Sequence, residues 1–86
     1  MNEIYVEEND AEIIVSVEYV VGGRDAESSY HFKGDMKKKF KNAVLVDGLD
    51  LEASCEKRFE TNLNEWKLKD FCEKNKIIFE KTFWVC

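Results

Sequence analysis

The stretch AEIIVSVEYVV, from Ala11 to Val21, decides the fold of this chain. Its odd positions are all apolar, whereas Glu12, Ser16 and Glu18 occupy even positions. Alternation with period two in β-branched and aromatic residues predicts a strand whose odd-numbered face points toward a core. A shift of the pairing by one residue would bury Glu12 and Glu18, so the pattern also specifies the register of the strand.

Two further strands are predicted, one before this strand in the sequence and one after it. Residues Asn2 to Glu7 alternate as a short strand, and residues 8–10 have the composition of a turn. Residues 22–25, with the sequence GGRD, are the best turn signal in the chain, and the run from Ser28 to Lys33 follows as the next strand. We therefore expect an antiparallel meander of three strands.

The hydrophobic period becomes helical after Gly34. Asp35 is a suitable N-cap, and apolar residues then recur at helical spacing as far as Asp47 and Gly48, which stop the helix. The pattern predicts a helix of about ten residues lying on the sheet with its lysines largely facing water.

The segment from Leu49 to Thr61 is compatible with two structures. As a strand it places Leu51, Cys55 and Phe59 on one face, and as a helix it places the same residues four apart. Its composition favours a helix. We favour a strand, because an Asp-Gly pair precedes the segment and a helix start follows it.

The remaining chain predicts one helix and one strand. Asn62 and Glu65 form a capping box that opens a helix through about Lys74, and residues Lys76 to Cys86 alternate as a final strand. The predicted order is β-β-β-α-β-α-β. This is an α+β fold in which an antiparallel sheet of four to five strands carries two helices mainly on one face.

Composition excludes several classes of protein. The chain has 86 residues, 44% of them hydrophobic, which predicts one core and a single domain over residues 1–86. There is no proline, so no segment has the composition of a linker. The start MNEIYVEEND is acidic, unlike a signal peptide, and no apolar run reaches membrane-spanning length. We expect a cytoplasmic protein that does not bind membranes.

Three cysteines and one histidine are the candidates for nucleophilic or zinc chemistry. Cys55, Cys72 and Cys86 lack the close pairing of zinc ligands and any local catalytic motif, and their odd number favours reduced thiols. His31 would need a nucleophile and an orienting carboxylate to act as a base, so we predict a hydrogen-bonded or solvent-facing histidine. We expect no enzyme activity, no metal and no cofactor.

Charge is segregated along the chain. Between Met1 and Tyr30 eight acidic residues accompany Arg24 alone, whereas five lysines and one aspartate lie between His31 and Ala43. The simpler interpretation is that these charges only solvate the surface. The sharper one is that the acidic hairpins attract a basic partner. The residues predicted to contact that partner are seven acids and two aromatic anchors: Glu7, Glu8, Asp10, Glu12, Glu18, Asp25, Glu27, Tyr5 and Trp84.

Two alternatives use other residues. Lys37, Lys38 and Lys41 on the first helix could bind phosphate, which would make the protein a nucleic-acid-binding or regulatory module. Apolar residues predicted on the outer sheet face, Ile14 and Val20 among them, would suit a partner surface or a homodimer, or else be covered by other parts of the chain.

In size, acidity and lack of catalytic motifs the chain resembles the small inhibitors that phages and mobile elements use against restriction or CRISPR enzymes. This resemblance implies a non-enzymatic protein that binds a nucleic-acid-processing enzyme and inhibits it. We adopt that hypothesis: an acidic surface occupies a basic surface on a partner protein.

Overall fold

The computed structural model describes residues 3–49, 57–60 and 65–86. Its elements are β1 (Glu3–Glu8), β2 (Glu12–Val21), β3 (Arg24–Lys33), α1 (Asp35–Asp47), β4 (Lys57–Glu60), α2 (Glu65–Lys74) and β5 (Glu80–Val85). The strands form one sheet in the order β4-β1-β2-β3-β5, and every neighbouring pair is antiparallel. The predicted α+β fold and the predicted order of elements are confirmed.

Two tight turns join the first three strands. Asn9 closes the β1–β2 turn, because its side-chain oxygen accepts hydrogen bonds from the backbone N–H groups of Ala11 and Glu12, both at 2.9 Å. Gly22 and Gly23 both have positive φ, 55° and 78°, which is the backbone of a two-residue type I′ hairpin. Strand β3 therefore begins directly after them, four residues earlier than the predicted start at Ser28.

The core lies between one face of the sheet and the two helices. Strands β1 to β3 contribute their inward-facing apolar residues, as the alternation of β2 predicts: Ile4, Val6, Ile13, Val15, Val17, Tyr30 and Phe32 are all buried. The prediction is wrong at the ends of the β2 stretch, where Ala11 and Val21 are exposed. Both residues are exposed because they lie next to the two turns.

Helix α1 packs on the sheet through aromatic stacking. The rings of Phe40 and Phe32 are stacked with centroids 4.1 Å apart. The helix runs for 13 residues, longer than predicted, and its N-cap is Gly34 rather than Asp35. Gly34 has φ 57°, and no side chain caps the helix. Asp35 is instead the first helical residue, where its charge suits the helix dipole.

Helix α2 buries Leu68, Phe71 and Cys72 in the same core. It ends in a Schellman motif: the N–H of Ile77 donates to the carbonyl of Cys72 at 2.8 Å, and the N–H of Lys76 donates to that of Glu73 at 3.2 Å. Lys76 adopts the required left-handed conformation, with φ 57°.

This helix end changes the prediction for the last strand. Residues Lys76 to Phe79 belong to the helix end and the connection, so β5 begins at Glu80 and not at Lys76. Ile77 is buried as predicted, but Phe83 and Val85 on the same side are 53% and 43% exposed, because they lie toward the far end of the sheet.

Other predictions fall partly or wholly outside the described residues. The predicted strand at Leu49–Thr61 is confirmed for Lys57–Glu60, where β4 pairs with β1. Residues 50–56 and Asn62 of the predicted capping box lie outside the described part of the chain. Within that described part, no helix is long and apolar enough to cross a membrane.

Candidate functional site

One face of the sheet is not covered by either helix, and we call it the open face. The buried apolar residues of β1 to β3 point to α1 and α2, so the residues between them point the other way. The open face therefore carries the odd-numbered residues of β1 and β3 and the even-numbered residues of β2 and β5. The cross-strand partners agree with this assignment, since Glu18 pairs with Glu27 and Glu27 pairs with Trp84.

Most of the residues predicted to contact a partner meet on the open face. Seven of the nine have positions there: Tyr5, Glu7, Glu12, Glu18, Asp25, Glu27 and Trp84. They come from the three consecutive strands β1 to β3 and from β5, which is distant from them in sequence. These residues share a face because side chains alternate between the two faces along each strand. In β2, for example, the acids occupy the positions between the core residues.

The open face is strongly acidic. Among the side chains that the structure describes, it carries six carboxylates and one lysine: Glu7, Glu12, Glu18, Asp25, Glu27, Glu80 and Lys33. Lys33 donates to Glu80 at 3.1 Å, and this hydrogen bond raises the pKa of Lys33. Glu80 was missed by the sequence analysis, although its place opposite His31 follows once β5 is known to pair with β3.

The histidine lies on the open face in a chain of hydrogen bonds. His31 Nδ1 is 2.9 Å from Glu12 Oε1, and its Nε2 is 3.4 Å from Thr82 Oγ1. Carboxylate, imidazole and hydroxyl follow one another as in a hydrolase, but Thr82 is exposed on the face that neither helix covers. The hydrogen bonds among Glu12, His31 and Thr82 join β2, β3 and β5. A cavity of about 280 Å³ lies away from these residues and is lined in part by Phe40 and Val44 of α1.

Trp84 is held on the open face by a carboxylate. Its indole N–H donates to Glu27 Oε2 at 2.7 Å, and its side chain remains 46% exposed. At the centre of the same face, Ser16 and Ser29 are hydrogen-bonded at 3.0 Å and buried. The face thus combines an oriented tryptophan, a residue type that is enriched at protein interfaces, with charged groups of the kind that form the polar rim of an interface.

Glu8 and Asp10 do not join this face. Glu8 lies on the core side of β1, opposite Ile13, where Lys41 and Lys37 approach its carboxylate at 3.0 and 3.3 Å. The hydrogen bond from Lys41, with that from Lys37, holds the pKa of Glu8 below its ordinary value against the opposing effect of burial. Asp10 lies in the β1–β2 turn.

The lysines of the alternative phosphate site already have partners. Lys37 Nζ donates to the backbone carbonyl of Asn9 at 2.6 Å besides its ion pair with Glu8, and only 18% of its side chain is exposed. Lys41 donates to the same carboxylate. Lys38 is exposed on the same helix. The prediction that these lysines face water is therefore wrong for Lys37, which fastens α1 to the first turn.

The candidate zinc and nucleophile residues are separated by the sheet. Cys72 is buried on the helix side, and burial raises the pKa of its thiol to about 11. His31 lies on the open face, and Cys86 is exposed at the end of β5. Cys55 is outside the described residues. In the described ranges, no three residues of the histidine, cysteine, aspartate and glutamate types are close enough to hold a metal ion.

Comparisons with protein-family models, with curated proteins and with solved structures gave no match, so the proposals that follow rest on residues and geometry.

Proposed function

We propose that this protein binds a partner protein that has a basic surface, that the open face is the contact, and that occupation of the basic surface inhibits the partner. One observation carries the proposal. The acidic residues of separate strands converge on the sheet face that neither helix covers, and an exposed, oriented tryptophan lies beside them.

The electrostatics of the face suit a basic partner. Six carboxylates and one paired lysine give the described open face a net negative charge, and the whole chain carries a formal charge of −5. A surface of one sign steers a partner of opposite sign and repels like-charged ligands. Trp84 supplies the kind of large side chain that dominates binding energy at protein interfaces.

The chemistry of the partner follows from the same charge. Enzymes that process nucleic acids carry clusters of lysine and arginine where they bind the phosphate backbone. An acidic face competes with that backbone for the same groups. We therefore propose a nucleic-acid-processing enzyme as the target, in the manner of an anti-restriction or anti-CRISPR inhibitor.

Direct binding of nucleic acid by α1 has less support. Lys37 and Lys41 share the carboxylate of Glu8, so a phosphate would have to displace these ion pairs. Lys38 and Lys39 are exposed on the same helix, but two lysines provide a small part of the charge that phosphate binding needs.

The test compares two triple charge reversals that change the net charge equally. The first, Glu7→Lys with Glu18→Lys and Asp25→Lys, changes the open face. The second, Asp47→Lys with Asp70→Lys and Glu73→Lys, changes exposed acids of α1 and α2. Each tagged variant is used to capture proteins from nuclease-treated lysate at low and moderate salt, after circular dichroism has verified its fold.

We expect the unchanged protein and the helix variant to retain the same protein partner, with recovery falling as salt rises. The open-face variant should lose this partner. In an assay of the purified partner, the open-face variant alone should fail to inhibit it. Equal capture by both variants would contradict the proposal, as would loss of every partner after nuclease treatment.

A further inference from the structure

Strand β5 forms one edge of the sheet, and its outer side has no strand beside it in the described part of the chain. All six of its residues, Glu80 to Val85, are exposed. An edge strand presents a row of backbone N–H and C=O groups that are ready to pair with another extended chain.

The hydrogen bond at the end of β5 shows which residues present those groups. The N–H of Cys86 donates to the carbonyl of Asp25 at 2.9 Å, so the backbone of Cys86 is directed at β3. Backbone direction alternates along a strand, and therefore Trp84 is also directed at β3. The backbone groups of Lys81, Phe83 and Val85 point to the free edge.

The C-terminal half of this edge strand, from Thr82 to Val85, lacks the usual protection against pairing. Natural edge strands are protected by proline, by inward-pointing charges or by free lysines. The chain contains no proline, and Lys81 is engaged by Glu65 at 3.4 Å and lies over the ring of Tyr30. In the C-terminal half of the strand, Phe83 is 53% exposed and Val85 is 43% exposed.

The two faces beside the edge differ in chemistry. On the open face the edge carries Glu80 and Trp84, with Glu27 one strand further in. On the helix side it carries Lys81, which is paired with Glu65, and then Phe83 and Val85, and Tyr19 lies near Phe83 with ring centroids 6.3 Å apart. A strand added here would place alternate side chains against acids and indole on one face and against apolar groups on the other.

We propose that the basic partner contributes an extended segment that pairs with the free edge of β5 as a sixth strand. Its basic side chains lie on the open face beside Glu80, Glu27 and Trp84, and the side chains between them are apolar and cover Phe83 and Val85. This inference rests on the proposed function, because the same partner is bound, and it adds the backbone pairing that selects an extended segment.

Charge decides against a second copy of this chain as the occupant. Pairing β5 with β5 of another molecule would continue the sheet and bring two acidic open faces side by side, each chain with a formal charge of −5. A basic strand meets the opposite charge at the same edge.

The probe is a fluorescein-labelled peptide of about ten residues in which lysine and valine alternate, since this length matches a long strand. Its affinity is measured by fluorescence anisotropy for the unchanged protein, Val85→Pro and Val85→Thr. Val85→Pro removes the backbone N–H that points to the free edge and leaves the hydrogen bonds between β5 and β3 in place. Val85→Thr reduces the apolar area but keeps that N–H. A second peptide carries N-methyl groups on alternate residues, so it keeps its charges and loses its pairing edge.

We expect Val85→Pro to weaken binding about tenfold, the loss of a hydrogen-bonded contact, and Val85→Thr to weaken it much less. The N-methylated peptide loses several backbone hydrogen bonds at once, so it should bind the unchanged protein more weakly than the parent peptide binds Val85→Pro. Equal binding by the two peptides would overturn the inference without depending on the stability of any variant. Absence of saturable binding by the parent peptide would overturn it as well.

Two further outcomes separate this inference from the proposed function. If the open-face reversal Glu7→Lys, Glu18→Lys and Asp25→Lys weakens peptide binding while Val85→Pro does not, the edge pairing is wrong and the acidic face remains the contact. If Val85→Pro weakens binding and the open-face reversal does not, the proposed function fails. A dimer in sedimentation that Val85→Pro abolishes would assign the edge to a second copy and overturn the inference.

Discussion

Glu8 follows Glu7 directly in the sequence but is absent from the open face. Its carboxylate instead holds the first hairpin against α1. It faces the helix side of the sheet, where Lys41 and Lys37 surround its carboxylate. The alternation of β1 places it there, because Ile4 and Val6 precede it on the same side. Glu8 is therefore a structural residue.

The Glu8 ion pairs predict sensitivity to acid. Because the folded protein lowers the pKa of Glu8, the unfolded chain takes up the proton more readily. The stabilisation is complete above the ordinary glutamate pKa of about 4.3 and is lost as the pH falls through the lower, folded-state value. Glu8→Gln should reduce stability by about 0.5–1 kcal/mol at neutral pH and show a smaller further loss on acidification.

Urea unfolding at neutral and acidic pH measures both effects. Glu73→Gln is the matched control, because Glu73 is exposed on α2 and should leave the acid sensitivity of the protein unchanged. If Glu8→Gln lost as much stability on acidification as the unchanged protein, the role assigned to these ion pairs would be wrong.

At the scale of elements, α1 depends on one aromatic side chain. Phe40 is 1% exposed and stacks on Phe32, while its ring also meets that of Phe71 edge-on at 6.1 Å. Phe40→Ala should lower the free energy of unfolding by about 3–4 kcal/mol, a large part of the total for a small domain. Val46→Ala on the same helix, where Val46 is 73% exposed, should change it by less than about 0.5 kcal/mol.

Chemical denaturation of the two variants makes this comparison. A loss for Phe40→Ala no greater than that for Val46→Ala would mean that α1 does not depend on the sheet contact.

The elements also show what the sequence can and cannot predict. The inward face of β2 was predictable because a slip of one residue would bury Glu12 and Glu18. The start of β5 was misplaced because Lys76 adopts a left-handed conformation that usually belongs to glycine or asparagine, so nothing in its residue type marks the Schellman motif. The N-cap was misplaced for a similar reason, since Gly34 caps α1 through its backbone alone.

The candidate site was predictable in part for a physical reason. Glu12 and Glu18 belong to one alternating strand, so their common face follows from the sequence. Trp84 and Glu80 join them only through the pairing of β3 with β5, which joins residues 49 to 59 positions apart. Such pairing depends on the assembled sheet and has no local signal.

At the scale of the molecule, charge is divided between two layers. The open face holds six of the described carboxylates and one lysine, whereas the helix layer mixes exposed acids such as Asp70 with the lysines of α1, two of which are paired with Glu8. The two tryptophans are divided in the same way, because Trp84 lies on the open face and Trp66 lies on α2, where it is 73% exposed. This division provides an internal control for locating any partner.

The most direct test of the open face as the binding surface is an NMR titration that follows the two indole N–H signals. The ¹⁵N-labelled protein is titrated with the alternating lysine–valine peptide at low salt, and the signals are assigned with Trp66→Phe. We predict that the Trp84 signal shifts progressively, because its N–H bonds to Glu27 beside the proposed contact, while the Trp66 signal stays in place. A shift of the Trp66 signal with an unchanged Trp84 signal would place binding on the helix layer and contradict this account.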